Sequence, residues 1–245
     1  MRSSRAAARP PAGDRGLTCV TTRRGARLLH AGHVVSEILS APGPTHSLFD
    51  LMAACVSVLA SGPRLALLGF GGGSIVAPLR ALGWRAHIRA VDLSLDMVLA
   101  YARLGGPDLA PVRVTIADAV RWLRAHRRPW DAIVEDLSVP HRDDLAMPGV
   151  CFDPLPALIA ARLARRGVAI VNVFSPGRPG WPATLDRLVP RGLSARVLQA
   201  DDFDHRLLIL GRWLPTAGRI SRSVRAALAS IRSRQRERFS VRDLA

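Results

Sequence analysis

The chain has 245 residues, a mass of 26.4 kDa and 49% hydrophobic residues, enough for one sizeable core with appendages and incompatible with a wholly disordered protein. Its formal net charge is +16, from 35 basic residues against 19 acidic ones. Every basic residue is arginine, which excludes a Schiff-base lysine and a phosphate-loop lysine. No apolar run approaches the ~18 residues of a membrane span, and no apolar stretch of a secretory signal follows the N-terminal arginines. Cys19, Cys55 and Cys151 lie far apart and form no disulfide framework, which suits a reducing cytoplasm.

The charge is uneven. Residues 1–27 hold seven arginines and one acid, and residues 214–245 hold eight arginines and two acids, so the ends carry most of the imbalance. Such ends are solvated tails or bind RNA, DNA or an anionic surface weakly.

In chain order, residues 1–16 are small, basic and proline-containing, and read as a disordered arm. Leu17–Thr21, Arg27–His30 and His33–Ser40 read as short strands of an abbreviated β segment over 17–62. Ala41-Pro-Gly-Pro44 breaks the chain, and Thr45 reads as the N-cap of a helix through about Ala60. Strands are then expected at 64–69, 87–92, 112–117, 130–136 and 167–174, with helices between them. This alternation predicts an α/β fold: a doubly wound, mostly parallel sheet covered on both faces, over residues 63–213. Ala195–Gln199 and His205–Leu210 predict an antiparallel hairpin at the edge. Residues 214–245 read as a basic amphipathic tail that is helical at first and then frays.

Four features sit at strand ends. Gly69-Phe-Gly-Gly-Gly73 turns the first core strand into a helix, and Gly69, Gly71 and Gly73 let backbone approach a ligand; such turns occur in NAD-, FAD- and S-adenosyl-binding folds alike. Asp92, 23 residues after Gly69, suits ribose hydroxyls, or caps the next helix in competition with Ser94. Asp118 suits the exocyclic amine of adenine, or is again a cap. Leu93 and Ala119, next to these acids, complete the expected cofactor set. Of Glu135 and Asp136 only one should face the cleft, to orient or deprotonate a nucleophile or to pair with an arginine.

The order of these motifs resembles the spermidine synthase family and its relatives of the class I methyltransferase fold, over about residues 25–212. Pro44-Thr-His-Ser-Leu-Phe49, Gly69–Ser74, Ala90-Val-Asp92, Ala117-Asp118 and Trp130–Asp136 carry the likeness. The resemblance implies Asp136 as the catalytic acid, His46 with Asp136 on the substrate, S-adenosylmethionine or its decarboxylated form as the ligand, and a homodimer. The chain departs from polyamine synthases at Gly72, Ser47 and Val139, where they carry acids, and near Val35–Ser36, where they carry a glutamine. A dication without paired carboxylates is costly to desolvate. The favoured expectation is therefore a cytoplasmic S-adenosylmethionine-dependent methyltransferase. The alternatives are a polyamine-making aminopropyltransferase and a non-catalytic binding protein. No metal site is expected, and the five tryptophans read as packing anchors.

Overall fold

A computed structural model describes residues 17–30, 33–141, 144–176 and 180–244. The arm expected over 1–16 lies outside them. Strands β1 (Leu17–Thr22), β2 (Gly25–His30) and β3 (His33–Leu39) form a three-stranded antiparallel sheet. Helix α1 (Leu48–Leu59) follows. Its cap is Ser47 rather than Thr45: the Ser47 hydroxyl accepts from Phe49 N, while Thr45 turns to Asp50.

The core then alternates through β4 (Leu65–Leu68), α2 (Val76–Ala81), β5 (Ile88–Asp92), α3 (Leu95–Leu104), β6 (Val112–Ile116), α4 (Ala119–Ala125) and β7 (Trp130–Glu135). A small hairpin of β8 (Val139–His141) and β9 (Asp144–Ala146) precedes α5 (Leu155–Arg162) and β10 (Leu163–Val173). The chain ends with α6 (Gly180–Leu188), β11 (Ser194–Ala200), β12 (Arg206–Gly211), α7 (Ala217–Ser230) and β13 (Phe239–Asp243).

The main sheet has the order β13-β11-β12-β10-β7-β4-β5-β6. From β10 to β6 all neighbours are parallel, and β12 turns the edge antiparallel. The expected doubly wound sheet with an antiparallel hairpin is therefore present. Central strands are buried on both faces, which explains their unbroken apolar runs. One face packs against α1, α2 and α7, with Leu51, Leu79 and Val224 in its core; the other packs against α4, α5 and α6, with Leu123, Ile159 and Leu185.

Two findings correct the expectations for the second half. The end of the chain does not fray: β13 pairs antiparallel with β11, from Arg196↔Asp243 to Ala200↔Phe239, so residues 217–243 belong to the folded body. Its alternation of Arg238, Ser240 and Arg242 with Phe239 and Val241 hid a half-buried edge strand. Helix α6 was not expected because Gly180 and Pro182 mark its start. Proline is tolerated in a first turn, where its missing N–H has no partner to lose.

Candidate active site at the strand tips

The register aligns Leu68 of β4 with Val91 of β5 and Glu135 of β7, and Val171 of β10 with Glu135. Gly69, Asp92, Asp136 and Asn172 therefore stand side by side at the upper tips of four adjacent strands. The chain leaves β4 toward β5 on one side and returns to β7 on the other, so β4 and β7 form a topological switch point, where open α/β sheets hold ligands.

The glycine turn is held from two sides, by Asp92 and by Ser36. Asp92 Oδ2 accepts from Phe70 N at 2.8 Å and Gly71 N at 2.7 Å, and Oδ1 accepts from Ser94 N at 2.7 Å. A carboxylate offers about four acceptor sites, so one remains. Gly72 N donates to Ser36 Oγ at 3.0 Å, and Ser36 in turn bonds Ser74 Oγ at 2.7 Å. A Cβ on Gly72 would lie 2.4 Å from Ser36 Oγ, so any side chain there requires Ser36 to give way and its bond to Gly72 N to break. Gly71 differs. It sits at φ +52° with open space where a side chain would stand, so the backbone there is bare to a ligand.

Asp118 caps α4, accepting from Arg121 N through Oδ1 at 2.8 Å, and Ser94 caps α3. The two carboxylates stand at neighbouring tips, tied by the bond from Ala117 N to Asp92 O at 2.9 Å. Between them the surface is apolar: Leu93 is 74% exposed and Ile116 is 45% exposed. Ala119 is buried at the start of α4.

Glu135 and Asp136 part as alternation requires. Glu135 is buried and accepts from Leu137 N at 3.0 Å and Cys151 Sγ at 3.2 Å. Burial pushes its carboxyl up to about 7. Asp136 Oδ1 accepts from Asn172 Nδ2 at 2.7 Å. Burial raises this carboxyl to about 6; the Asn172 bond works against the rise, and the Asp92 charge adds to it. Asn172 Oδ1 faces His205 Nδ1 at 3.2 Å, and His205 packs on Phe174 with ring centroids 4.4 Å apart. Since the Asn172 amide donates to Asp136, its oxygen accepts, so His205 carries its proton on Nδ1.

Neither Asn172 nor His205 stood out in the sequence. The signal for Asn172 was a lone amide in the apolar run Gly167–Phe174, and His205 follows an acidic turn whose orientation only the hairpin register reveals.

His46 lies on the same edge at φ +63°. Its Nδ1 accepts from Arg234 N at 3.3 Å and its carbonyl accepts from Gln235 Nε2 at 3.0 Å, so it binds the C-terminal segment. Burial lowers its pKa, which favours the neutral ring with the proton on Nε2.

The fold is that of class I methyltransferases and the spermidine synthases built like them. A probable spermidine synthase from Corynebacterium glutamicum superposes with a TM-score of 0.67 at 12% identity, covering 93% of this chain and 87% of its own. Human methyltransferase-like protein 13, solved in complex with SAH, gives 0.58 at 19% identity, covering 76% and 91%. A spermidine synthase in complex with the transition-state analogue AdoDATO gives 0.59 at 11% identity, covering 82% and 75%. No protein-family model and no curated protein sequence matches the chain.

Proposed function

We propose that the protein is a transferase using an S-adenosyl ligand, and specifically an S-adenosylmethionine-dependent methyltransferase. The observation that carries this reading is the pair of solvent-exposed apolar side chains, Leu93 and Ile116, flanked by Asp92 and Asp118 beside the bare backbone of Gly71. These residues fit an adenosine. Leu93 and Ile116 offer apolar walls to a purine, Asp118 Oδ2 suits its exocyclic amine, and the remaining acceptor site of Asp92 suits one ribose hydroxyl. Asp92 thus both organises the glycine turn and contacts the sugar.

When bound, the sulfonium supplies an activated carbon with a neutral thioether as leaving group. Little acid–base work is then needed beyond positioning. Asp136 stands at the tip next to Gly69 and accepts the proton that an O–H or N–H acceptor gives up. Its raised pKa suits that task near neutrality. Asn172 holds the Asp136 carboxylate in place, and His205 holds Asn172. His46 borders the acceptor side and can offer its Nε2 proton.

Aminopropyl transfer is the second reading, favoured by the superposition of nearly the whole chain, N-terminal segment included, on a probable spermidine synthase. Against it stands Gly72, packed on Ser36 where an amine-binding acid would have to fit. Calorimetry with S-adenosylmethionine and its decarboxylated form separates the two. Methyl transfer predicts tighter binding of the carboxylated ligand and no turnover of putrescine. Preference for the decarboxylated ligand with putrescine turnover establishes the second reading, and no binding of either refutes both.

A further inference from the structure

The net positive charge of the folded body is not spread evenly: the two edges of the main sheet differ in sign. Asp92, Asp118, Glu135, Asp136, Asp202 and Asp204 all stand at the upper tips or in the turns that join them. The lower edge, about 17 Å away along a five-residue strand such as β5, is arginine-rich. Arg191 precedes β11, Arg212 and Trp213 follow β12, Arg165 and Arg166 form the irregular start of β10, Arg127 and Arg128 precede β7, and Arg64 precedes β4. In the strand order β11-β12-β10-β7-β4 these positions form one line, four inter-strand steps or about 19 Å long.

The charge on this line is not neutralised. Among the described residues five ion pairs are present, and none involves any of these arginines. Arg212 instead donates to the carbonyls of Ala160, Leu163 and Ala164, and Arg64 to that of Arg128, which leaves their positive charge in place. Arg127, Arg128, Arg165, Arg166 and Arg191 are exposed. Of nearby acids, Asp131 accepts from Arg64 N and Ser61 Oγ and offsets one charge of the line, Asp243 is paired with Arg196, and Asp108 and Asp186 lie toward the two ends of the sheet, so the arginines stay in excess.

Trp213 lies on this line next to the β10 arginines and is 72% exposed, unlike Trp122 and Trp130, which are buried and stacked on each other. It borders a cavity of about 460 Å³ also lined by Arg165, Arg166, Leu214, Pro215 and Val58. We propose that this lower edge docks single-stranded nucleic acid, with the arginines along its phosphates and one base stacked on Trp213. An indole face accepts any base, and a row of guanidiniums without acid partners matches a phosphate chain. A base can enter the cavity, whereas a flat lipid surface cannot, and among the described residues Trp213 has no exposed apolar neighbour of its size on this edge to insert with it. The docked strand lies at the edge opposite the strand tips, so it need not be the group acceptor, and the proposal is independent of the chemistry at the tips.

The test measures fluorescence anisotropy of labelled oligo-dT and oligo-U of about 20 nucleotides with the full chain, from about 50 to 300 mM salt. Cosedimentation with phosphatidylserine vesicles runs in parallel. Arg165→Ala/Arg166→Ala is expected to weaken binding and to reduce the slope of log K against log salt by about 1.4. Trp213→Ala is expected to weaken binding about tenfold with the slope unchanged. All three side chains are exposed, so an unchanged thermal midpoint verifies folding. Absence of oligonucleotide binding at the lowest salt, equal binding by the folded variants, or preference for vesicles each overturns the proposal.

Discussion

At the residue scale, the site is a set of carboxylates with divided duties. The strand-tip position of Asp92 was legible in the sequence, but its three backbone donors were not, because they depend on how the glycine turn folds back. Asp92→Ala leaves those three N–H groups without their acceptor. It should destabilise the protein by about 2–4 kcal/mol and lower adenosyl affinity at least tenfold. Thermal melting and calorimetry check both; a loss of affinity with unchanged melting would remove the structural half of this role. For Asp136, turnover should rise with pH through about 6, as the carboxylate forms. Asn172→Ala removes a bond that favours the charged form, so the acidic limb of the pH–rate profile should move to higher pH. A limb that stays in place would separate Asn172 from the chemistry.

At the element scale, the C-terminal segment is held to α1 by a buried carboxylate. Asp50 accepts from Thr45 N and Oγ1, His46 N and Ser233 Oγ, the last at 2.6 Å. Arg238 pairs with Asp202 in the turn between β11 and β12, and Gln235 reaches both Asp202 and His46. Three segments distant in sequence thus meet at the site edge. Ser233→Ala should cost about 1.5–3 kcal/mol, read as a fall in melting temperature, because it withdraws a donor from a buried charge. The parallel strands and the hairpin were legible because their apolar runs and turn residues act locally. The tail was not: Ser233 and Gln235 become informative only when Asp50 and His46, 183 and 189 residues away in sequence from their respective partners, lie against them.

At the scale of the whole molecule, two buried acids set the pH response of stability. Glu135 and Asp136 have folded pKa values of about 7 and about 6, above their ordinary values of 4.5 and 3.8. The native state therefore holds more protons than the unfolded chain between about pH 4 and 7. Stability should fall as pH rises through that window and level off above it. Glu135→Gln should remove about half of the fall, roughly 3 kcal/mol if the whole Glu135 shift is realised, and leave the Asp136 share. Denaturant titrations at pH 5 and pH 8 read it directly, and a wild-type protein more stable at pH 8 would contradict the assignment. The charge separation between the edges was hidden in the sequence, where acids and arginines alternate along the chain and only the sheet sorts them.

The most direct test of the central claim is a crystal structure with S-adenosylhomocysteine. The purine should lie between Leu93 and Ile116, its amine on Asp118 and a ribose hydroxyl on Asp92, with the thioether sulfur near Asp136. Density for the ligand anywhere else, or strand tips without ligand at saturating concentration, would contradict the account.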